Sequence, residues 1–365
     1  MISVIAIALS SVYAILLILL LLGYYSAAKQ ANLNVKADGV SVIVAFRNEG
    51  ENIQALIESF NLQTLPFSKW EVIFVDDNSS DTSISVINSS PKTFNFKLIQ
   101  LSGVEGKKYA IIEGVKNARY KLIAITDADC APSKLWLASL VEHGDVALIQ
   151  RPVIVETSNS IVNMFEALDY ASLMAVSAGS FGLGRPVIAA SANLAFRKDL
   201  VDVNAETLRT DISSGDDMFL LHTAKQNKVN KLMFNLAKNG FVTTKFEGGF
   251  SGFIRRRKRW ASKASGYKDF DTILVATVVL LFNLSIVFFA LGSLLGFISI
   301  YNLLIALLVK IFVDFPLLFV FLKRTKQLKL MLVFLPLQFI YPFYISYSAI
   351  AGLFGGQIWK GRPVN

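Results

Sequence analysis

Trp70–Asp81 reads WEVIFVDDNSSD and Lys121–Cys130 reads KLIAITDADC. Each is a short apolar run, rich in β-branched residues, that stops abruptly on carboxylates. Such a run, bounded by turn residues, is the pattern of a strand buried on both faces. Open α/β sheets bind their ligands at the carboxyl ends of the strands. Carboxylates concentrated at such an edge are costly unless something cationic lies between them. A divalent metal carrying a phosphorylated substrate meets that need. A third acidic pair, Asp216-Asp217, and an Arg259-Trp260 pair lie downstream.

Working outward, strands and helices alternate. Gly39–Phe46 reads as a buried strand, and Asn48–Gln63 as a helix with Ile53, Leu56, Ile57 and Phe60 on one face. Trp70–Val75 is a second strand, followed by a helix to Asn88, a strand at Lys97–Leu101, a helix at Lys107–Arg119 and the strand Lys121–Thr126. Pro132–His143 reads as helix, Val146–Val155 as strand, Asn159–Ser177 as helix, Val187–Phe196 as strand and Gly215–Lys225 as helix. The alternation predicts an α/β domain with a mainly parallel sheet. Gly179–Gly184 (GSFGLG) looks like a glycine loop but follows a helix, which makes it a weak dinucleotide fingerprint.

The chain has 365 residues, 53% of them hydrophobic, and that average hides a partition. Ile2–Tyr25 carries no charge, and Thr272–Ile350 is almost as apolar. About 20 apolar residues span a bilayer, so the first segment qualifies. Ser26-Ala27-Ala28 could pass for a signal-peptide cleavage site, but no cation precedes the apolar run, which favours a retained anchor. Three further spans are expected at 272–296, 299–322 and 329–353, with Lys323–Lys329 a cytoplasmic loop and Gly292–Tyr301 outside. Lys310 and Asp314, four apart in the middle span, are expected to pair. Pro336 and Pro342 are expected to kink or break the last segment.

The net charge of +9 crowds at the membrane boundaries: Lys29, Lys36, Arg255–Arg259, Lys263, Lys323, Arg324, Lys326 and Lys329. Membrane orientation explains this distribution better than nucleic-acid binding does. A single cysteine, Cys130, excludes a disulfide framework and a thiolate cluster, and fits a reducing cytoplasm. It reads as a small buried residue rather than a nucleophile. His143 and His222 lack ligand spacing.

The chemistry these residues suit is transfer of a sugar from a nucleotide diphosphate, whose leaving group needs charge neutralisation. A metal on Asp129, supported by Asp127, would supply it, against the plainer reading of a solvated turn. Asp76 and Asp77 could accept from a uridine-like base and its ribose, or simply cap the next helix, as Ser79, Ser80 and Asp81 are expected to do. Asp216 or Asp217 could serve as general base, and both also suit a helix amino terminus. Arg259 could clamp the diphosphate and Trp260 offer a flat face to an acceptor, unless Arg255–Trp260 is a solvated basic face or headgroup anchor. Lys107 and Lys108 could touch phosphate or stand in solvent.

These residues resemble the membrane-associated, inverting family-two glycosyltransferases with a GT-A fold, the group that holds cellulose, hyaluronan and ceramide glucosyl transferases. The resemblance covers roughly residues 38–265. SVIVAFRNEGENI is similar to the family's opening strand and helix, with Phe46 where proline is common. VIFVDDNSSDTS resembles its nucleotide-binding segment, implying base and ribose contacts for Asp76 and Asp77. GKKYAIIEGV is similar to the lysine segment, which points to Lys107, with Ile112 where asparagine is frequent. TDADC supplies the family's Asp-x-Asp, implying metal binding by Asp127 and Asp129. SANLAF resembles the segment carrying Asn193 near the acceptor, with Ser191 where glycine is frequent. SGDDMFL corresponds to the catalytic acidic pair and makes Asp217 the implied base. RRKRW fits the QxxRW element except that Arg256 replaces glutamine.

The expected organisation is therefore an amino-terminal transmembrane helix (1–28), a cytoplasmic GT-A domain (29–250), a basic interfacial segment (251–271), a region of about three transmembrane helices (272–356) and a tail (357–365). The resemblance implies Mg2+ or Mn2+, a UDP-sugar donor and inversion at the anomeric carbon. Four spans are few for a polymer-conducting channel, which favours transfer to a membrane lipid or lipid-linked acceptor. A bacterial-type inner membrane is the expected location. The rivals are a processive polysaccharide synthase and an inactive scaffold that keeps the fold.

Overall fold

The computed structural model describes residues 2–29, 35–158, 160–227, 231–246, 248–353, 357–359 and 362–364. In chain order its elements begin with α1 (Ile2–Lys29), β1 (Val40–Phe46), α2 (Ile53–Asn61), β2 (Trp70–Asp76), α3 (Ser83–Ser89), β3 (Asn95–Gln100) and α4 (Lys107–Asn117). They continue with β4 (Leu122–Ile125), β5 (Cys130–Pro132), α5 (Trp136–Val141), β6 (Leu148–Gln150), β7 (Val153–Val155), α6 (Ile161–Gly182) and β8 (Leu194–Arg197). The remainder are α7 (Asp216–Gln226), β9 (Leu232–Phe234), β10 (Val242–Thr244), α8 (Gly249–Ser262), α9 (Phe270–Leu294), α10 (Ile300–Thr325) and α11 (Phe334–Leu353). A sheet unit comprises Ala27–Glu156, Ile188–Lys245 and Ile358–Asn365, and a helical unit comprises Met1–Ser26, Thr157–Val187 and Phe246–Gln357.

In the sheet unit seven strands run in the order β3-β2-β1-β4-β8-β6-β9. β1 pairs in parallel with β2 and β4, β2 with β3, and β6 with β9, while β8 lies antiparallel to both β4 and β6. The mainly parallel mixed sheet expected from the alternation is present. Every residue of β1, β2 and β4 is buried, as a sheet covered on both faces requires. Helix α2 covers it with Ile53, Leu56, Ile57 and Phe60. Phe60, Trp70, Phe94 and Trp136 form one aromatic cluster with ring centroids 5.1–6.5 Å apart.

Three expectations change. The run 146–155 divides into β6, in the large sheet, and β7, in a three-stranded sheet ordered β5-β10-β7. Pro152 stands at the division, where it has no N–H to give a ladder. The strand expected from Val187 begins only at Leu194, after a 3-10 turn at Ser191–Asn193. β5, β9 and β10 are three residues each, too short to show a period.

Among the described residues, four helices are long and apolar enough to cross a membrane: Ile2–Lys29, Phe270–Leu294, Ile300–Thr325 and Leu328–Gly352. They match the expected spans within a few residues. α11 runs through Pro342 rather than breaking there, and Pro336 sits in its first turn, where no N–H is needed. Lys310 and Asp314 do pair, Nζ to Oδ2 at 2.5 Å, and the Tyr13 hydroxyl donates to Asp314 Oδ1 at 2.6 Å. α6, expected inside the 29–250 domain, belongs to this unit. The expectation at Lys360 and Gly361 of the tail lies outside the described residues.

The GSFGLG run is no loop at its start: Gly179–Gly182 closes α6. A Cβ on Gly179 would lie 2.4 Å from the Leu20 carbonyl oxygen, and one on Gly23 would lie 2.1 Å from the Gly179 carbonyl oxygen. Two helix backbones cross there in contact, which glycine allows. Gly179→Leu is expected to destabilise the protein by about 1–3 kcal/mol, the usual cost of overpacking, read as a lower unfolding temperature in detergent.

His143 ends the α5 segment buried, its Nε2 2.6 Å from the Asn235 amide nitrogen. An amide N–H donating there requires a neutral ring. Burial, then the Arg151 charge, hold the His143 pKa below the ordinary value, against Asp145 and Glu142. The unfolded chain therefore takes up this proton first as pH falls. The stabilising contribution is complete above about pH 6.5 and declines below it. His143→Gln should flatten the acid limb of a stability profile measured by thermal unfolding from pH 7 to pH 5, and an unchanged acid limb would exclude His143 as its source.

Candidate active site

The acidic residues sit where the parallel strands end. Asp76 is the last residue of β2, in register with Phe46 of β1 and Gln100 of β3. The Asp77 N–H still donates to the Phe46 carbonyl at 2.8 Å. Asn78 then takes a left-handed backbone (φ 54°) and Asn48 does the same after β1 (φ 51°), a conformation asparagine tolerates. The two turns are zipped together. Asn48 accepts from Ser80 N–H through Oδ1, and the Arg47 guanidinium donates to the carbonyls of Asp77 and Asn78 at 2.8 and 2.9 Å.

Asp76 accepts the Ser79 N–H at 3.0 Å and so shapes the turn rather than the helix beyond it. Asp81 holds the start of α3, accepting from Ser83 N–H at 3.0 Å. Asp77 Oδ1 accepts from Gly106 N–H at 2.7 Å. Gly106, at φ 114°, is the residue before α4, and its conformation is one that L side chains avoid. This contact aims the first turn of α4, and with it Lys107.

Lys107 is the hub of the site. Its ammonium lies 2.6 Å from Asp127 Oδ1, 2.8 Å from the Ser191 hydroxyl and 3.4 Å from Asp216 Oδ2. Residues from the lysine segment, the Asp-x-Asp, the 3-10 turn and the start of α7 thus meet at one cation. Burial pulls the Lys107 pKa down, but Asp127, Asp216 and Asp217 outweigh it and leave it above the ordinary lysine range. Gly215, left-handed at φ 88°, opens α7 and places Asp216 and Asp217 in its first turn, where the helix dipole favours anions. Asp217 Oδ1 accepts from Met218 N–H at 2.8 Å.

Asp127, Asp129 and Cys130 have ligand atoms within 4.8 Å of one another. Burial, then Asp127 and Glu49, push the Asp129 carboxyl up to about 7, with Lys107 opposing. The charges of Asp127 and Glu49 contribute to that rise against the single Lys107 cation, although Asp129 itself reaches solvent. Two aspartates two residues apart between β4 and β5 are the hard oxygen donors that Mg2+ and Mn2+ prefer, so the residues fit such an ion. Cys130, beside them, is buried, and burial, then Asp129 and Asp127, hold its thiol above the usual range.

Two expected contacts turn out to be structural. Asn193 is buried, and three of the four hydrogen bonds its amide can make go to the protein: Oδ1 accepts from Trp136 Nε1 at 2.8 Å, and Nδ2 donates to the carbonyls of Pro152 at 2.9 Å and Gly240 at 2.8 Å. Lys108 is buried as well, donating to the Arg209 carbonyl at 2.8 Å with its ammonium 4.4 Å from the centre of the Phe219 ring. Lys107, not its neighbour, faces the acidic cluster. Ser191 was not anticipated as a contact; its only signal was the departure from a frequent glycine. Gly106 and Arg47 act through backbone groups, which side-chain chemistry does not advertise.

Arg259 and Trp260 lie on α8 in the helical unit. The basic run there is not a uniformly solvated face. Arg256 forks onto Glu166 with contacts of 2.7 and 2.8 Å, and buried Arg257 pairs with buried Asp169, which also accepts from the Tyr344 hydroxyl. Trp260 packs between Tyr170 and Phe246, with Arg257 over its ring at 4.7 Å. Ile112, at the position of a frequent asparagine, is simply buried.

A mainly parallel sheet that gathers an Asp-x-Asp, a lysine and a second acidic pair at its strand ends belongs to the GT-A class of nucleotide-sugar transferases. Glycosyl transferase family 2 matches residues 41–155, and Glycosyl transferase family group 2 matches residues 122–347. The chain belongs to the family-2 glycosyltransferases. It is 26% identical over 144 residues to the poly-beta-1,6-N-acetyl-D-glucosamine synthase of Staphylococcus epidermidis, covering 38% of this chain and 34% of that protein. It is also 26% identical over 155 residues to the Staphylococcus aureus protein of the same name, covering 41% and 37%. The chain thus spans about a third of the length of the curated relatives it matches. Among solved structures it resembles the mannosyltransferase PcManGT from Pyrobaculum calidifontis, in complex with GDP-Man and Mn2+, with a TM-score of 0.50, 18% identity and coverage of 96% and 97%. At that identity the likeness is one of fold.

Asn193→Ala strands a buried indole N–H and two carbonyls. It should lower stability by about 1–3 kcal/mol, read by thermal unfolding, while leaving nucleotide affinity within twofold or so.

Proposed function

We propose that this chain is a metal-dependent, inverting glycosyltransferase that moves a sugar from a UDP-sugar to a hydroxyl of a membrane lipid or lipid-linked acceptor. The observation that carries the reading is the meeting of Asp127, Asp216 and Ser191 at the Lys107 ammonium. Asp76 and Asp77 retain acceptor capacity beyond their turn contacts, since a carboxylate offers about four lone-pair sites, and they receive the donors of the base and ribose. Asp129 and Asp127 hold Mg2+ or Mn2+, which when bound supplies charge neutralisation for the departing diphosphate. Lys107 adds fixed positive charge to the same leaving group. Asp217, with Asp216 beside it, takes the proton of the acceptor hydroxyl. The oxygen then bonds to the anomeric carbon from the face opposite the leaving group, the bond to the nucleoside diphosphate breaks, and the configuration inverts. Trp260 offers a flat face to the acceptor.

The four apolar helices support a multi-pass protein of an inner-type membrane, and the cations at Lys323–Lys329 favour a cytoplasmic sheet unit. A second reading, a processive synthase, is favoured by the names of the staphylococcal relatives. Product length separates the two: a single sugar on lipid against a polymer, resolved by mass spectrometry.

Purified full-length protein with Mn2+ or Mg2+, a panel of nucleotide sugars and membrane lipids should release nucleoside diphosphate. No release with any donor would overturn the enzymatic reading. Asp217→Asn should cut turnover by roughly 10²–10⁴-fold, the usual worth of a general base, with UDP binding retained. Unchanged turnover would remove Asp217 from the mechanism, and in a chain without any turnover the scaffold reading gains.

A further inference from the structure

We propose that Lys107 is a resident counter-cation that keeps Asp127 from binding a free divalent ion until the nucleotide arrives, and that Ser191 is the positioning residue that holds it there. The inference rests on the reading that Asp127 and Asp129 take a metal.

The geometry of one ammonium group argues it. A lysine ammonium has three N–H donors and no acceptor. Two of those of Lys107 are hydrogen-bonded, to Asp127 Oδ1 at 2.6 Å and to Ser191 Oγ at 2.8 Å, and Asp216 Oδ2 lies at ion-pair distance, 3.4 Å. The shortest of these contacts is the one to Asp127. Asp127 is the partner a metal would take. An ion on Asp127 at the usual ~2.1 Å would bring a doubly charged centre close to the lysine cation. Like charges that close repel strongly inside a protein, and the metal carries twice the charge of the ammonium. Lysine and metal therefore compete for one carboxylate.

A diphosphate removes the conflict, because it offers the displaced ammonium a new anionic partner while the metal takes the aspartate. Metal and nucleotide then favour each other's binding, and linkage makes the effect reciprocal. Ser191 keeps the competition in place. It is buried in the 3-10 turn Ser191–Asn193, and that turn is anchored by the amide of Asn193 to Trp136, Pro152 and Gly240. The hydroxyl is thus a rigid third arm. A glycine at this position would leave the ammonium with two carboxylates and more freedom to leave.

The test titrates Mn2+ into the full-length protein in detergent, with and without UDP, following free Mn2+ by electron paramagnetic resonance. The wild type should bind Mn2+ about ten-fold more tightly with UDP than without, a coupling within the ordinary range. Lys107→Met should bind Mn2+ alone about ten-fold more tightly than the wild type and lose most of the UDP enhancement. Ser191→Ala should move both quantities the same way by about three-fold, and Ser191→Thr should restore them. Thermal unfolding of each variant checks that the fold is kept, and Ser191→Ala carries the test if Lys107→Met is unstable. The inference is overturned if neither Lys107→Met nor Ser191→Ala tightens Mn2+ binding in the absence of UDP, or if the wild type binds Mn2+ equally well with and without it. Absence of Mn2+ binding in every variant, UDP present or not, would instead bring down the metal reading of Asp127 and Asp129, and this inference with it.

Discussion

Carboxylates fixed at neighbouring strand ends repel one another, and the strands that carry them cannot yield. β1, β2 and β4 are buried along their whole length, so the positions of Asp76, Asp77 and Asp127 are set by the sheet and not by their own charges. The chain answers with fixed partners. Backbone N–H groups of Ser79 and Gly106 go to Asp76 and Asp77, and one ammonium serves Asp127 and Asp216. Burial first, then the charges of Asp127 and Glu49, raise the Asp129 carboxyl towards 7 against Lys107.

The helical unit solves the converse problem, charges inside apolar surroundings. Removing an ion from water costs several kcal/mol unless a partner and further hydrogen bonds compensate. Arg257 meets Asp169, which also receives the Tyr344 hydroxyl, and Lys310 meets Asp314, which also receives the Tyr13 hydroxyl. In both cases a tyrosine supplies the second hydrogen bond that a bare ion pair would lack. Such pairs add little net stability, but breaking one strands a buried charge, so they fix helix register. The register they fix on α8 is the one that carries Arg259 and Trp260.

Much of this was legible in the chain because long elements announce themselves by period. The all-buried strands, the face of α2 and the four apolar helices followed from spacing alone. The three-residue strands β5, β9 and β10 have no period to read, and Pro152 divides one apolar run between two sheets without changing its hydrophobicity. The acidic positions of the site were legible because charge next to an apolar run is conspicuous. The structural part played by Asn193 was hidden for the opposite reason. An amide shows its chemistry in sequence but not its partners, and here three core groups engage it. The glycine pair Gly23 and Gly179 was likewise invisible as a pair, since a helix crossing joins residues remote in sequence.

The departures from the family pattern bear on whether the site is alive. Arg256 stands where glutamine is usual, and Glu166 meets it with a two-pronged ion pair; Ser191 stands where glycine is usual, and its hydroxyl binds Lys107. Ile112 stands where a polar residue is frequent and is buried. Each change is thus accommodated by a specific partner or by burial, and none leaves a stranded charge. A decayed site would have no use for its most expensive feature, several carboxylates held together at strand ends, and substituting any of them would relieve the repulsion. Here all of them stand in place. Together with the lysine that balances them, they favour a working transferase over a scaffold.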